Sequence, residues 1–178
     1  MIYQATHLLD LARYVVGDVD HSSISTLILR DDEPSGAGKL SYMSHDGEKD
    51  ISPRDKFPRV TMSHFKFTNG ALGSILHTHA IPGNKHDISI EVQCDGLQLV
   101  MTRPVDDVSI LRVRHINSDN PNEEVEYIFD QNDCYHNELM AFIDAVRTGD
   151  RSGVRCTYDD AAKSYLLSWK LRKSGENS

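Results

Sequence analysis

The 178-residue sequence has few cysteines, and none is spaced for a structural cross-link or a metal. Cys94, Cys134 and Cys156 are odd in number, far apart and outside any CxxC pattern. That usage predicts reduced thiols and a cytoplasmic setting. No apolar run reaches bilayer length, and no basic-then-apolar leader opens the chain, so a membrane partner is not expected. There is no Asn-x-Ser/Thr sequon. Positive charge is in deficit: 19 Lys and Arg face 27 Asp and Glu, for a formal net charge of −8. Nucleic acid and anionic membrane are therefore excluded as main partners. The common catalytic signatures are missing too. No GxGxxG follows a strand, and there is no GxSxG elbow and no HExxH. Ser35-Gly36-Ala37-Gly38-Lys39-Leu40 has a phosphate loop's composition but not its pattern. Glu33 stands where the first glycine belongs, and Leu40 where Ser or Thr belongs.

What remains is enough for a core, with 39% hydrophobic residues. The length predicts one domain over residues 1–174, with 175–178 as a frayed tail. Tyr3–Val16 reads as an amphipathic helix, with Ala5, Leu8, Leu9, Ala12, Val15 and Val16 on its apolar face and Gly17 as its stop. A strand follows over Ser22–Arg30. Residues 31–56 read as a polar surface excursion, with a short strand near Leu40–Met43. Val60–Phe67 and Leu72–His79 flank Asn69-Gly70, and Ile88–Cys94 and Leu97–Thr102 flank Asp95-Gly96, two strong hairpin signals. Val108–Val113 and Val125–Phe129 complete about seven strands. Tyr135–Arg147 is predicted helical, with Leu139, Phe142, Ile143 and Val146 on one face. Thr157 and Asp160 open a last helix whose apolar stripe reads as Tyr158, Ala161, Ala162, Tyr165, Leu166 and Trp169. The expected class is α+β, a largely antiparallel open β-sheet with helices on one face and no Rossmann domain. Apolar residues on both faces of a strand, Leu97, Leu99 and Met101 against Val100, predict a second copy packed sheet to sheet.

Two groups of residues could carry chemistry. Tyr3, His7, Asp10 and Tyr14 recur at i, i+4, i+7 and i+11 and share one helix face. A histidine beside a carboxylate can move a proton and hold a hydroxyl, although a solvated helix face would have the same spacing. His64, His77, His79 and His86 could seat zinc, but no carboxylate or cysteine sits at a matching position, so structural or surface histidines are expected.

The segment Gln4-Ala5-Thr6-His7-Leu8-Leu9-Asp10-Leu11-Ala12-Arg13-Tyr14-Val15-Val16-Gly17 resembles the opening of the C-terminal domain of the glucose–fructose oxidoreductase / inositol dehydrogenase / MocA family. Three later stretches agree in order: Phe65–Ser74, Glu91–Leu99, and Tyr135–Gly149 followed by Tyr158-Asp159-Asp160-Ala161. The resemblance implies one half of a two-domain enzyme that uses NAD or NADP to oxidise or reduce a sugar, polyol or related alcohol. It implies His7 as the proton-transfer residue and Asp10 as a holder of a substrate hydroxyl, with Tyr3 and Tyr14 beside them. Tyr3 departs from the pattern, because an acidic residue is usual four positions before the histidine. A phenol there stays neutral at pH 7. The nucleotide domain and its lysine are not in this sequence. The chain alone is thus expected to bind no cofactor and to be inactive as a dehydrogenase. Its expected partners are a Rossmann domain or full-length relative, a second copy through the open sheet, and a small sugar or polyol. A non-catalytic interaction or polyol-binding module is the alternative. A hydrolase or lyase built on His7 and Asp10 would lack a nucleophile or metal.

Overall fold

The spacing of Ala5, Leu9, Ala12 and Val16 builds helix α1 (Ile2–Val16), which buries that stripe. The helix stops at Gly17, whose φ of 125° is open to glycine and strained for other residues. The turn at Asn69 also holds this end: its Nδ2 donates to the Val16 carbonyl at 2.8 Å. The computed structural model describes residues 2–30, 50–52, 55–78, 87–104, 108–116, 120, 123–130 and 133–177, with side chains from Ala5 onward. The excursion at 31–49 and the glycine-rich stretch within it lie outside the described residues. The chain divides into two units, Met1–Asn84 with Tyr158–Ser178, and Lys85–Thr157.

In the first unit β1 (Val19–Leu29), β2 (Val60–Phe67) and β3 (Leu72–Thr78) form an antiparallel sheet in that order. Strand β2 shows strict period-two burial. Thr61, Ser63, Phe65 and Phe67 are buried, while Met62, His64 and Lys66 are exposed. The buried face meets α1 and helix α3 (Tyr158–Glu176) around Ala5, Leu9, Val19, Phe65, Phe67, Leu167 and Leu171. Thr26 and Ser63 pair their hydroxyls at 2.8 Å inside this core, which satisfies two buried polar groups at once.

Helix α3 corrects two expectations. Its buried face is Ser164, Leu167, Ser168, Leu171 and Gly175, whereas Tyr158, Tyr165 and Leu166 of the expected stripe are exposed. Small residues let α3 lie close on the sheet: a Cβ at Gly175 would meet Ile28 Cγ2 at 2.5 Å. Apolar periodicity pointed to the wrong face because closeness, not hydrophobicity, selects the residues here. The helix also runs through Glu176, so Gly175 is a packed position where a frayed tail was expected.

In the second unit β4 (Ser89–Cys94), β5 (Leu97–Thr102), β6 (Ser109–His115) and β7 (Val125–Phe129) form an antiparallel meander. The expected antiparallel pairing and α+β class hold, and the strands divide into two sheets. Register separates the faces of the meander. Ile90, Met101, Leu111 and Tyr127 align in one row, and Val92, Leu99, Val113 and Val125 in the next. The opposite face places Val100 between Glu91 and Arg112, with Glu126 beyond. That face also carries Ile110 paired with Ile128, so apolar and charged residues are mixed on it. Helix α2 (Cys134–Thr148) is capped by Asp133, whose side chain accepts from the His136 amide at 2.8 Å, and ends at Gly149. Its stripe of Leu139, Phe142, Ile143 and Val146 forms as expected, but no residue of α2 is buried.

Candidate functional site on helix α1

Four positions spaced through α1 fall within an arc of roughly 60° at 100° per residue, which is why Tyr3, His7, Asp10 and Tyr14 share a stripe. His7 and Tyr14 are exposed, Tyr14 at 64%. The side chain of Tyr3 lies outside the described residues. Asp10 occupies the edge of the stripe nearest Arg13, and α3 packs on that side. Ser164 Oγ donates to Asp10 Oδ1, and Arg13 Nη1 lies 3.5 Å from the same oxygen. Both contacts use Oδ1, and the Asp10 side chain keeps 36% of its surface.

Arg13 is the hub of this arrangement, with its side chain only 8% exposed. Its Nε and Nη2 donate to Asp18 Oδ1 at 3.0 and 2.7 Å. Nη1 donates to the Asp160 carbonyl at 3.0 Å and to Ser164 Oγ at 2.7 Å. Nη2 also reaches Asp160 Oδ1 at 3.3 Å. A buried guanidinium must satisfy a rigid fork of donors, and these partners do so. Burial pulls Arg13 toward losing its proton, but Asp18 first, then Asp160 and Asp10, outweigh it and hold its pKa above the ordinary value. The hydrogen bond from Arg13, then that from Lys163, holds Asp18 below the usual carboxylate range. The result is a fixed electrostatic wall beside Asp10. Sequence reading singled out Asp10 but not Arg13, Asp18, Asp160 or Ser164 as its setting. The available signal was complementary charge between Arg13 in the opening motif and Asp160 in the closing one.

The histidine group does not assemble. His64 pairs with Ser74 on the exposed face, and His77 pairs with Thr61 on the core face, so the two lie on opposite sides of the sheet. His79 and His86 lie outside the described residues. Among the described residues no three His, Cys, Asp or Glu side chains come together to hold a metal, and no helix is long and apolar enough to cross a membrane.

Residues 1–97 match the family model described as "Putative oxidoreductase C terminal domain". The chain belongs to that family. The oxidoreductase C-terminal domain assignment agrees with the resemblance drawn from the opening and closing motifs. An uncharacterized protein of Schizosaccharomyces pombe, UNK4.17, is 38% identical over 170 residues, 94% of this chain and 40% of that protein. Levoglucosan dehydrogenase of Pseudarthrobacter phenanthrenivorans is 33% identical over 90 residues, 49% of this chain and 23% of that enzyme. The fold is that of a solved levoglucosan dehydrogenase in complex with NADH and levoglucosan. Its TM-score is 0.69 at 17% identity, covering 98% of this chain and 47% of that one. The chain therefore spans less than half the length of these relatives.

Among the described residues no positive-φ glycine follows a strand and precedes a helix. Among the described residues the positive-φ glycines are Gly17, Gly70, Gly96 and Gly149. They sit after α1, in the two hairpin turns and after α2. A pyrophosphate cradle needs such glycines before a helix N-terminus, following a strand.

Proposed function

We propose that this domain is the substrate-binding and assembly half of an NAD(P)-dependent oxidoreductase acting on a sugar, polyol or related alcohol. The observation that carries the reading is family membership together with the α1 stripe. In that stripe His7 faces outward and Asp10 is held by one oxygen. Asp10, braced by Ser164 and Arg13 through Oδ1, would accept a substrate hydroxyl at Oδ2. His7, one turn earlier, would take the proton from the reacting hydroxyl on oxidation and return it on reduction. Tyr14, and Tyr3 by position, would flank the bound alcohol. Hydride exchange belongs to the nucleotide, and NAD or NADP would be held by a different part of the whole enzyme.

The test is His7→Ala in the two-domain protein, assayed for nucleotide-linked oxidation of levoglucosan and a panel of sugars and polyols. Loss of a general acid–base should lower kcat by about 10²–10⁴-fold with the circular dichroism spectrum retained. An unchanged kcat removes His7 from the mechanism. If the unsubstituted two-domain protein binds polyols but turns none over, the non-catalytic module is correct, and Tyr3 in the usual acidic position is its first explanation.

The assembly part of the proposal rests on the outer face of the three-stranded sheet. Leu27, Met62 and Leu76 are cross-strand neighbours, each more than half exposed, and Leu72 lies on the same face further along β3. Such a ladder suits a second copy. Met62→Glu should halve the mass seen by light scattering at micromolar concentration. A monomeric mass for the unsubstituted chain would end this part of the proposal. Val100→Glu is the weaker probe, since Val100 sits among Glu91, Arg112 and Glu126.

A further inference from the structure

Cys134 and Cys156 line the same cavity of about 830 Å³, at opposite ends of the chain segment that forms it. One wall is the first half of α2, from Cys134 to Phe142, and the other is the returning segment Gly153–Cys156. A Cβ at Gly153 would lie 3.8 Å from Ala141 Cβ, so the returning segment meets α2 there. Three residues, a reach of at most about 10 Å, lead on from Gly153 to Cys156. Seven helical residues, about 10 Å of helix, lead back from Ala141 to Cys134. Both cysteines line the one cavity between these two stretches. Both are exposed, and Cys134 opens the helix directly after its Asp133 cap. Cys94 lies apart, at the β4–β5 turn.

We infer that Cys134 and Cys156 form an oxidisable dithiol, a reversible modification site that clamps the segment entering α3 onto the start of α2. The oxidant class is a small-molecule disulfide such as oxidised glutathione. One cysteine thiolate attacks the glutathione disulfide and releases one reduced glutathione. The second cysteine attacks the resulting mixed disulfide and releases the other. Two protein thiols are oxidised, one glutathione disulfide is reduced to two thiols, and each thiol proton passes to a departing glutathione thiolate. Disulfide geometry requires the two Cα atoms to approach within about 7 Å, so the bond draws the segment 153–156 across the shared cavity onto α2. The reduced pair is the resting form in a reducing compartment, in keeping with the cysteine usage.

The experiment uses the full 178-residue chain. Reduced protein should take three N-ethylmaleimide groups. After incubation with oxidised glutathione it should take one, at Cys94, with a mass lower by two hydrogens and no retained glutathione. A non-reducing tryptic map should join the peptide 115–147 to the peptide 156–163, and dithiothreitol should separate them. Cys134→Ser, at an exposed site, should leave Cys156 carrying one stable glutathione. Retention of all three alkylatable thiols, stable glutathione on both Cys134 and Cys156, or dimers linked through Cys94 would each overturn the inference.

Discussion

The two units of this chain use similar amounts of apolar residue to different effect. In the first, α1 and α3 close on one sheet face and bury seven hydrophobic side chains with it, and Leu167 and Leu171 are 1% and 0% exposed. In the second, a fully paired meander and a well-capped helix leave their apolar rows half-covered. There Leu139 and Phe142 are 61% and 62% exposed. Both units carry hydrogen-bonded antiparallel sheets and helices, so backbone pairing is not what separates them. Among the described residues only the first unit closes side chains over a core, and stability follows burial rather than element content. The candidate site on α1 belongs to the closed unit, where a rigid support can hold Asp10 and Arg13 in place.

The largest expected effect therefore lies in the first unit. Leu167→Ala empties a fully buried position between α1, α3 and the sheet, and should cost about 2–5 kcal/mol. The urea midpoint checks it. A cost below about 1 kcal/mol would show that the site collapses freely and that the core is looser than its burial suggests.

Much of this contrast was legible in the sequence, and the illegible part has physical causes. Asn69-Gly70 and Asp95-Gly96 fixed two hairpins because few other residue pairs accept such turn geometry. Val60–Phe67, Leu97–Thr102 and Val125–Phe129 appear with the expected bounds. The face of α3 was not legible. Ser164, Ser168 and Gly175 look like surface residues by hydropathy, yet they are inside because the helix approaches closely. The apolar stripe of α2 was legible, but amphipathicity alone does not say what covers a stripe. At the candidate site, His7 and Asp10 were visible by spacing and by family motif. Arg13 was not, since two of its partners, Asp160 and Ser164, lie 147 and 151 positions away and only the fold joins them to it.

A middle-sized effect should come from that hub. Arg13→Met keeps bulk but leaves Asp18, Asp160 and Asp10 without their shared cation. Asp18 and Asp160 are each 46% exposed and can rehydrate, so the loss should be about 1–2 kcal/mol, less than for a fully buried pair. The pH dependence has a definite sign. The folded-state pKa of Asp18 is depressed, so its contribution is complete above its unfolded value of about 3.9 and is lost as pH falls through the folded value. Urea midpoints of the two proteins should differ by a constant amount from pH 5 to 8 and converge in acid below about pH 4. A gap that persists undiminished there would mean that Arg13 acts by packing and not by charge.

The smallest expected effect lies in the second unit, where it can undo the comparison. Leu139→Ala removes an apolar side chain from the middle of α2, a change that costs several kcal/mol in a closed core. Here the side chain is 61% exposed, and alanine is the better helix former, so the two terms nearly cancel. The expected change is within about 0.5 kcal/mol by urea denaturation at micromolar protein. A loss of about 2 kcal/mol or more would mean that the α2 stripe is covered in solution. Repeating the measurement across a tenfold range of protein concentration then identifies the cover. A cost that grows with concentration points to a second copy, because only an intermolecular contact adds stability by mass action. A cost that stays constant points to burial within the chain.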